Sequence, residues 1–342
     1  MPRPQYGHSA RVSTVVKQAT VNHVLNIGRF ILAPVGAAVV VRWPRLAPYL
    51  VFISLVCVLI FFTRAWRFAS GTALRPAVAW GFVAIGLGLV SQAFAMVEPP
   101  DAGQPAAGHF TYMCTLATIA ALISVLNART PGGGAWAILM ALLLLLFLIP
   151  WLEASGLGAG PSALARLRLD SPWNIFYGLL VVAGITNYLP TRHGLSALAL
   201  GIGLVLELFA LTNRGLTPGS RVVFWSLVPW TIVTAALWFD LLPRRAPTSG
   251  LEARWFWFLD HWGVVWGLRV QERFNSAAMA QQWPIRLSWH GVVATRAGEP
   301  PATPDAAETT LESLLRRFAE PARIAAAARS KAYAPCPGPR DE

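Results

Sequence analysis

LSALALGIGLVLELFAL, the run from Leu195 to Leu211, carries one ionisable side chain, Glu207, and no proline. Wound as an α-helix, it is about 26 Å long, close to the thickness of the hydrocarbon core of a bilayer. A helix of this composition has no water-facing side. It satisfies its backbone polar groups internally, which is the condition for crossing lipid.

Seven further runs read the same way: Val24 to Val41, Leu46 to Thr63, Val78 to Val97, Phe110 to Asn127, Ala135 to Leu152, Trp173 to Leu189 and Val222 to Leu242. The first holds Arg29 and Pro34 and is joined to the second by only Arg42-Trp43-Pro44-Arg45. No small-residue cleavage pattern closes it, and many polar residues precede it, so it reads as a span rather than a secretion signal. Composition agrees. Of 342 residues 55% are hydrophobic and 13% charged, about half the charge of a soluble domain, with a mean hydropathy of +0.50. The expected fold is an all-α integral membrane protein, a bundle of about eight transmembrane helices with a small cytoplasmic, Trp-rich C-terminal extension. Its parts are a cytoplasmic segment 1–23, the bundle 24–242, a hinge with an interfacial helix and an extended segment 243–294, and a Pro/Ala-rich tail 295–342 with one short helix.

Trp43, Trp66, Trp151, Trp173 and Trp238 fall near span ends, where an indole bridges apolar and wet surroundings. Gly86, Gly88, Gly201 and Gly203 fall within spans, where small residues let helices approach. Counting Lys and Arg beside the spans gives ten on one side and six on the other. That asymmetry places both termini in the cytoplasm and the protein in the cell membrane. The formal charge of +12 lies almost wholly in residues 1–250, with 17 basic and 6 acidic side chains, against 11 and 10 in residues 251–342. It belongs to topology and anionic headgroups, not to nucleic acid, and membrane lipids are the expected partners.

Several chemistries are excluded. The only lysines, Lys17 and Lys331, lie outside the spans, so no retinal Schiff base forms in the bundle, and no phosphate-binding Gly-Lys-Ser/Thr loop occurs. No HExxH or GxSxG is present, and Gly156-Leu157-Gly158-Ala159-Gly160 follows an apolar helix rather than a strand, so it is a loop. The six histidines fall at or beyond span ends, which argues against buried bis-histidine haem, and Cys57, Cys114 and Cys336 have neither disulfide nor zinc spacing. No cofactor and no metal are expected.

In the C-terminal extension, Trp255, Leu259, Trp262, Trp266 and Val270 recur at steps of four, three, four and four, with Arg254, His261 and Glu272 opposite. This predicts a helix from Arg254 to Phe274 lying flat at the inner membrane interface. Trp283 to His290 alternates with period two and reads as an extended segment, and Trp255, Trp262, Trp266, Trp283 and Trp289 are expected to form one cluster with it. Thr309-Thr310-Leu311-Glu312 fits a capping box ahead of a stripe of Leu311, Leu314, Leu315 and Phe318, so residues 309–320 are expected to form a surface-bound or partner-binding helix.

Two constellations carry candidate function. An ionisable group inside a span must pair with a cation such as Arg29 or hold its proton, so Glu207, with Asn187 and Asn213 as polar neighbours, is the candidate substrate or ion site of a secondary transporter. At the cytoplasmic side His261, Glu272 and His290 are the candidate acid–base groups of a lipid-directed transferase, with Arg269 and Arg273 to hold phosphate. Adjacent Asp260 and His261 point about 100° apart on a helix, which argues against a direct orienting pair. The first expectation is a membrane binding, scaffold or accessory component, with transferase and transporter as the alternatives.

Overall fold

The apolar runs fold into helices in chain order. In the computed structural model, residues 26–98, 105–126, 142, 145–146, 148–153, 171–213, 215–239, 241–242, 247–295 and 304–329 are described. They give α1 (residues 26–42), α2 (Ala47–Ala69), α3 (Arg75–Val97), α4 (Pro105–Leu126), α5 (residues 148–153), α6 (Ser171–Thr186), α7 (Gly194–Thr212) and α8 (Pro218–Trp238). Pro48 and Pro76 stand in the first turns of α2 and α3, where a missing N–H costs nothing. Thr217 caps α8 by accepting from Ser220 N at 3.2 Å.

Five of these helices, α2, α3, α4, α7 and α8, are long and apolar enough to cross a membrane. The expected span at Trp173–Leu189 is α6, an apolar helix that stops at Thr186 and falls short of that length. Val24–Val41 corresponds to α1, and most of Ala135–Leu152 lies outside the described residues.

The distribution of side chains is inside-out relative to a soluble protein. Ile53, Ile60 and Phe61 of α2, Ile175 and Leu179 of α6, and Val205 and Phe209 of α7 face outward, while Ser91, Gln92, Thr111, Thr115, Glu207 and Ser226 are buried between helices. That arrangement suits a lipid surround. Small residues set the helix spacing. A Cβ on Gly201 would lie 2.1 Å from Ile185, and one on Gly203 would lie 2.0 Å from Thr231. Gly88 sits among Leu55, Cys114 and Pro229, whereas Gly86, expected at a helix contact, faces open space. The Trp230 ring of α8 lies against Gly36 of α1 and its Nε1 donates to Ala33 O at 3.0 Å.

After α8 the chain forms α9 (Gly250–Ala280), β1 (Ile285–Ser288), β2 (Gly291–Ala294), α10 (Asp305–Leu315) and α11 (Pro321–Arg329). β1 and β2 pair antiparallel, Ile285 opposite Ala294 and Ser288 opposite Gly291. The expected extended segment is therefore one arm of a hairpin, with Ile285 and Leu287 buried and Arg286 exposed. Asn275 of α9 fastens it, accepting from Leu287 N at 2.8 Å and donating to Leu287 O at 3.0 Å.

Four expectations for this region are corrected. α9 is longer than Arg254–Phe274 and is broken at Gly263, which has φ 74°. The stripe of Trp255, Trp262 and Trp266 is covered by protein rather than by the membrane interface: these indoles form a core with α10, α11 and the hairpin, and Trp283 and Trp289 pack against it, which is the expected Trp cluster. The Leu311, Leu315 and Phe318 stripe is buried in that same core, so its cover is this chain's own α9. The helix carrying it begins at Asp305 rather than at Thr309, whose hydroxyl donates to Asp305 O inside the helix. The capping arrangement instead lies at Ser249-Gly250-Leu251-Glu252, where Ser249 accepts from Glu252 N at 3.2 Å and Glu252 accepts from Thr248 N at 2.7 Å.

Candidate functional site

Proline 229 lies inside α8 and has no N–H to give to the carbonyl four residues earlier, that of Trp225. In lipid such an orphan acceptor is costly, and the chain supplies a donor from α3: Gln92 Nε2 reaches Trp225 O at 2.9 Å. One residue away, Ser91 donates to Ala107 O at 2.9 Å and meets Thr111 Oγ1 at 2.7 Å. These bonds begin a polar layer across the bundle. Gln92, Tyr112, Tyr177, Glu207 and Ser226 lie five to eight residues in from one end of α3, α4, α6, α7 and α8, about 8–12 Å deep along each helix.

Glu207 is the charged-type member of that layer and is 0% exposed. Tyr112, Cys114 and Tyr177 lie within its electrostatic reach, and Tyr177 points its hydroxyl toward Thr115. Among the described residues neither carboxyl oxygen of Glu207 has a hydrogen-bond partner, and the same holds for Gln92 Oε1 and Ser226 Oγ. The expected cation does not come: Arg29 is exposed on α1. Nor do the expected amides. Asn213 Oδ1 accepts from Gly215 N in a local turn, and Asn187 is engaged at the opposite end of α7.

At that opposite end the C-terminal unit is clamped to the bundle. Asn187 completes the break in α9: its Nδ2 donates to Trp262 O at 3.3 Å, its backbone O accepts from Val264 N at 2.9 Å, and its Oδ1 accepts from Val265 N at 3.0 Å. Both helix ends at Gly263 are thus satisfied by a residue from another element. Tyr188 donates to His261 O at 3.0 Å, and Arg192 pairs with Asp260 at 2.9 Å. Arg192 Nε also donates to His193 Nε2 at 3.1 Å, so His193 Nδ1 carries the proton and donates to Phe239 O at 2.8 Å. Trp266 Nε1 donates to Val125 O of α4 at 3.1 Å, and Thr72, in the α2–α3 turn, bridges to Ala319.

The candidate acid–base set does not assemble as a site. His261 Nδ1 lies 2.6 Å from Trp257 O and its ring stacks on Phe68 at 4.9 Å. Glu272 and His290 are exposed, on α9 and on the β1–β2 turn respectively. Arg269 lies over the Trp266 ring at 5.1 Å, and Arg273 is exposed. His109, expected beyond a span end, is instead buried inside α4 with its ring edge toward Trp151. Among the described residues no group of three His, Cys, Asp or Glu side chains is placed to hold a metal ion.

The sequence reading missed Gln92, Arg192 and His193. Pro229 within an apolar run was a signal for the first, since a proline in a span requires a polar partner. No protein-family model, curated protein or solved structure matches this chain.

Proposed function

We propose that this chain is a multi-pass protein of the cell membrane with about eight spans and both termini cytoplasmic, serving as a binding and scaffold component whose C-terminal unit is a fixed cytoplasmic cap. The observation that carries the reading is the clamp. The unit bonds to the α2–α3 turn, the end of α4 and the α6–α7 turn, all on one side if successive helices alternate in direction, and His193 of the last of these bonds the end of α8. A cap so attached ties these helix ends together and offers its outer surface to partners.

Lipid contact for the cap comes from α9. Val265, Leu268, Arg269 and Arg273 are exposed together at helical spacing, so aliphatic side chains enter the interface while guanidinium groups meet headgroup phosphates. Single cysteines at Arg286, exposed on β1, and at Gly215, in a background with Cys57, Cys114 and Cys336 replaced by Ser, test the topology. An impermeant maleimide is expected to label position 286 only in inverted vesicles and position 215 only in right-side-out vesicles. The reverse pattern overturns the orientation.

A second reading, secondary transport, is favoured by one observation: the unpartnered carboxyl of Glu207 inside the bundle. The transferase alternative receives no such support, because its acid–base candidates are dispersed.

A further inference from the structure

We infer that Glu207 is the anionic anchor of a site for one monovalent cation inside the bundle, reached from the end opposite the C-terminal unit. This rests on the transport reading and gives it a ligand class. The side chain is wholly buried, and both of its oxygens lack a hydrogen-bond partner among the described residues. A carboxylate in that setting leaves several acceptor positions unfilled, a state that burial makes expensive unless the group holds a proton or a cation arrives from outside the chain.

The surroundings suit such a charge. Tyr112 from α4 and Tyr177 from α6 lie within electrostatic reach of Glu207, and Thr115 stands beside Tyr177. Phenolic, hydroxyl and carboxylate oxygens are hard ligands of the kind that replace the water shell of an alkali cation, and phenol rings also attract an ammonium through their faces. Gln92 Oε1, a second buried acceptor without a donor, lies in the same layer. A single carboxylate balances a single positive charge, and the described residues offer no second acid or histidine cluster that a divalent metal would require.

The nearer end of the bundle is the one away from the C-terminal unit. Glu207 is five residues from the end of α7, about 8 Å along the helix, while the other end of α7 lies under α9.

Purified full-length protein in detergent is melted, with tryptophan fluorescence as the readout, in sodium, potassium or methylammonium chloride against choline chloride at fixed pH and ionic strength. A saturable rise of several degrees with at least one of the three is expected, absent in Glu207→Gln and weakened in Tyr177→Phe; the salt that acts separates an alkali ion from an amine. Equal responses in wild type and Glu207→Gln overturn the site, as does a melting point that moves with pH but with none of the cations. If Glu207→Gln does not fold, Tyr177→Phe and Tyr112→Phe carry the test, and an unchanged half-saturation concentration in both overturns it. Saturable, Glu207-dependent binding without cation flux in proteoliposomes keeps the site and removes the transport reading.

Discussion

Asn187 is placed where a helix has lost its continuity. Gly263 takes φ 74°, and a Cβ there would lie 2.4 Å from Asn187 Nδ2, so neither residue tolerates a bulkier or differently shaped neighbour. Replacing Asn187 by Leu leaves Trp262 O and Val265 N without their partners, at a cost of about 1–3 kcal/mol each when buried. The expected outcome is a lower melting temperature in detergent and faster hydrogen exchange at the Val265 amide. Asn187→Asp keeps the acceptor for Val265 N and is expected to be milder. Gly263→Ala adds left-handed backbone strain to the clash and is expected to exceed both. Asn187 stood out in the sequence as a polar residue near a span end, which suggested a bundle ligand. Its real partners lie about 75 residues further along, and no local pattern in either segment records that pairing.

At the scale of helices, α3 and α8 are joined by a repair. Pro229 removes a donor from α8 and Gln92 of α3 provides one, so the two residues are coupled although neither is charged. Gln92→Leu is expected to destabilise the wild type by about 1–3 kcal/mol, the cost of an orphan buried carbonyl. In a Pro229→Ala background, where α8 regains its own N–H, the same change is expected to cost measurably less. A double-mutant cycle read by thermal unfolding checks this, and additivity of the two changes would show that the bond carries no energy. The positions of the long helices were legible because hydropathy over about twenty residues reports lipid solubility directly. The identity of the buried face of α9 was not. A Trp stripe looks the same whether lipid or protein covers it, and the cover came from Leu311, Leu315 and Phe318, themselves read as awaiting a partner. The exposed face of α9 makes a separate demand. A spin label at Leu268→Cys is expected to be accessible to oxygen and shielded from a water-soluble nickel chelate, whereas one at Arg286→Cys on β1 is expected to show the opposite.

For the whole molecule, the C-terminal unit and the bundle share their hydrogen bonds, so they are expected to lose structure together. Arg192 and Asp260 are the ionic part of that joint, with side chains 9% and 13% exposed. Such a pair is screened less than a surface bridge but retains some solvent, which places the cost of Asp260→Asn at about 1–3 kcal/mol. The consequence differs from that of an ordinary surface change because Arg192 also orients His193, which bonds Phe239 O at the end of α8. Loss of the pair is therefore expected to loosen α8 as well as α9. Limited proteolysis of the detergent-solubilised protein tests this, with cleavage near residues 241–247 expected to accelerate together with cleavage in the 295–304 segment. Acceleration at 295–304 alone would mean that the cap opens without disturbing the bundle, and that the clamp is an attachment and not a brace. The brace is the outcome the geometry demands, because the α6–α7 turn that carries Arg192 also supplies Asn187 and Tyr188, and the unit cannot release one without straining the others.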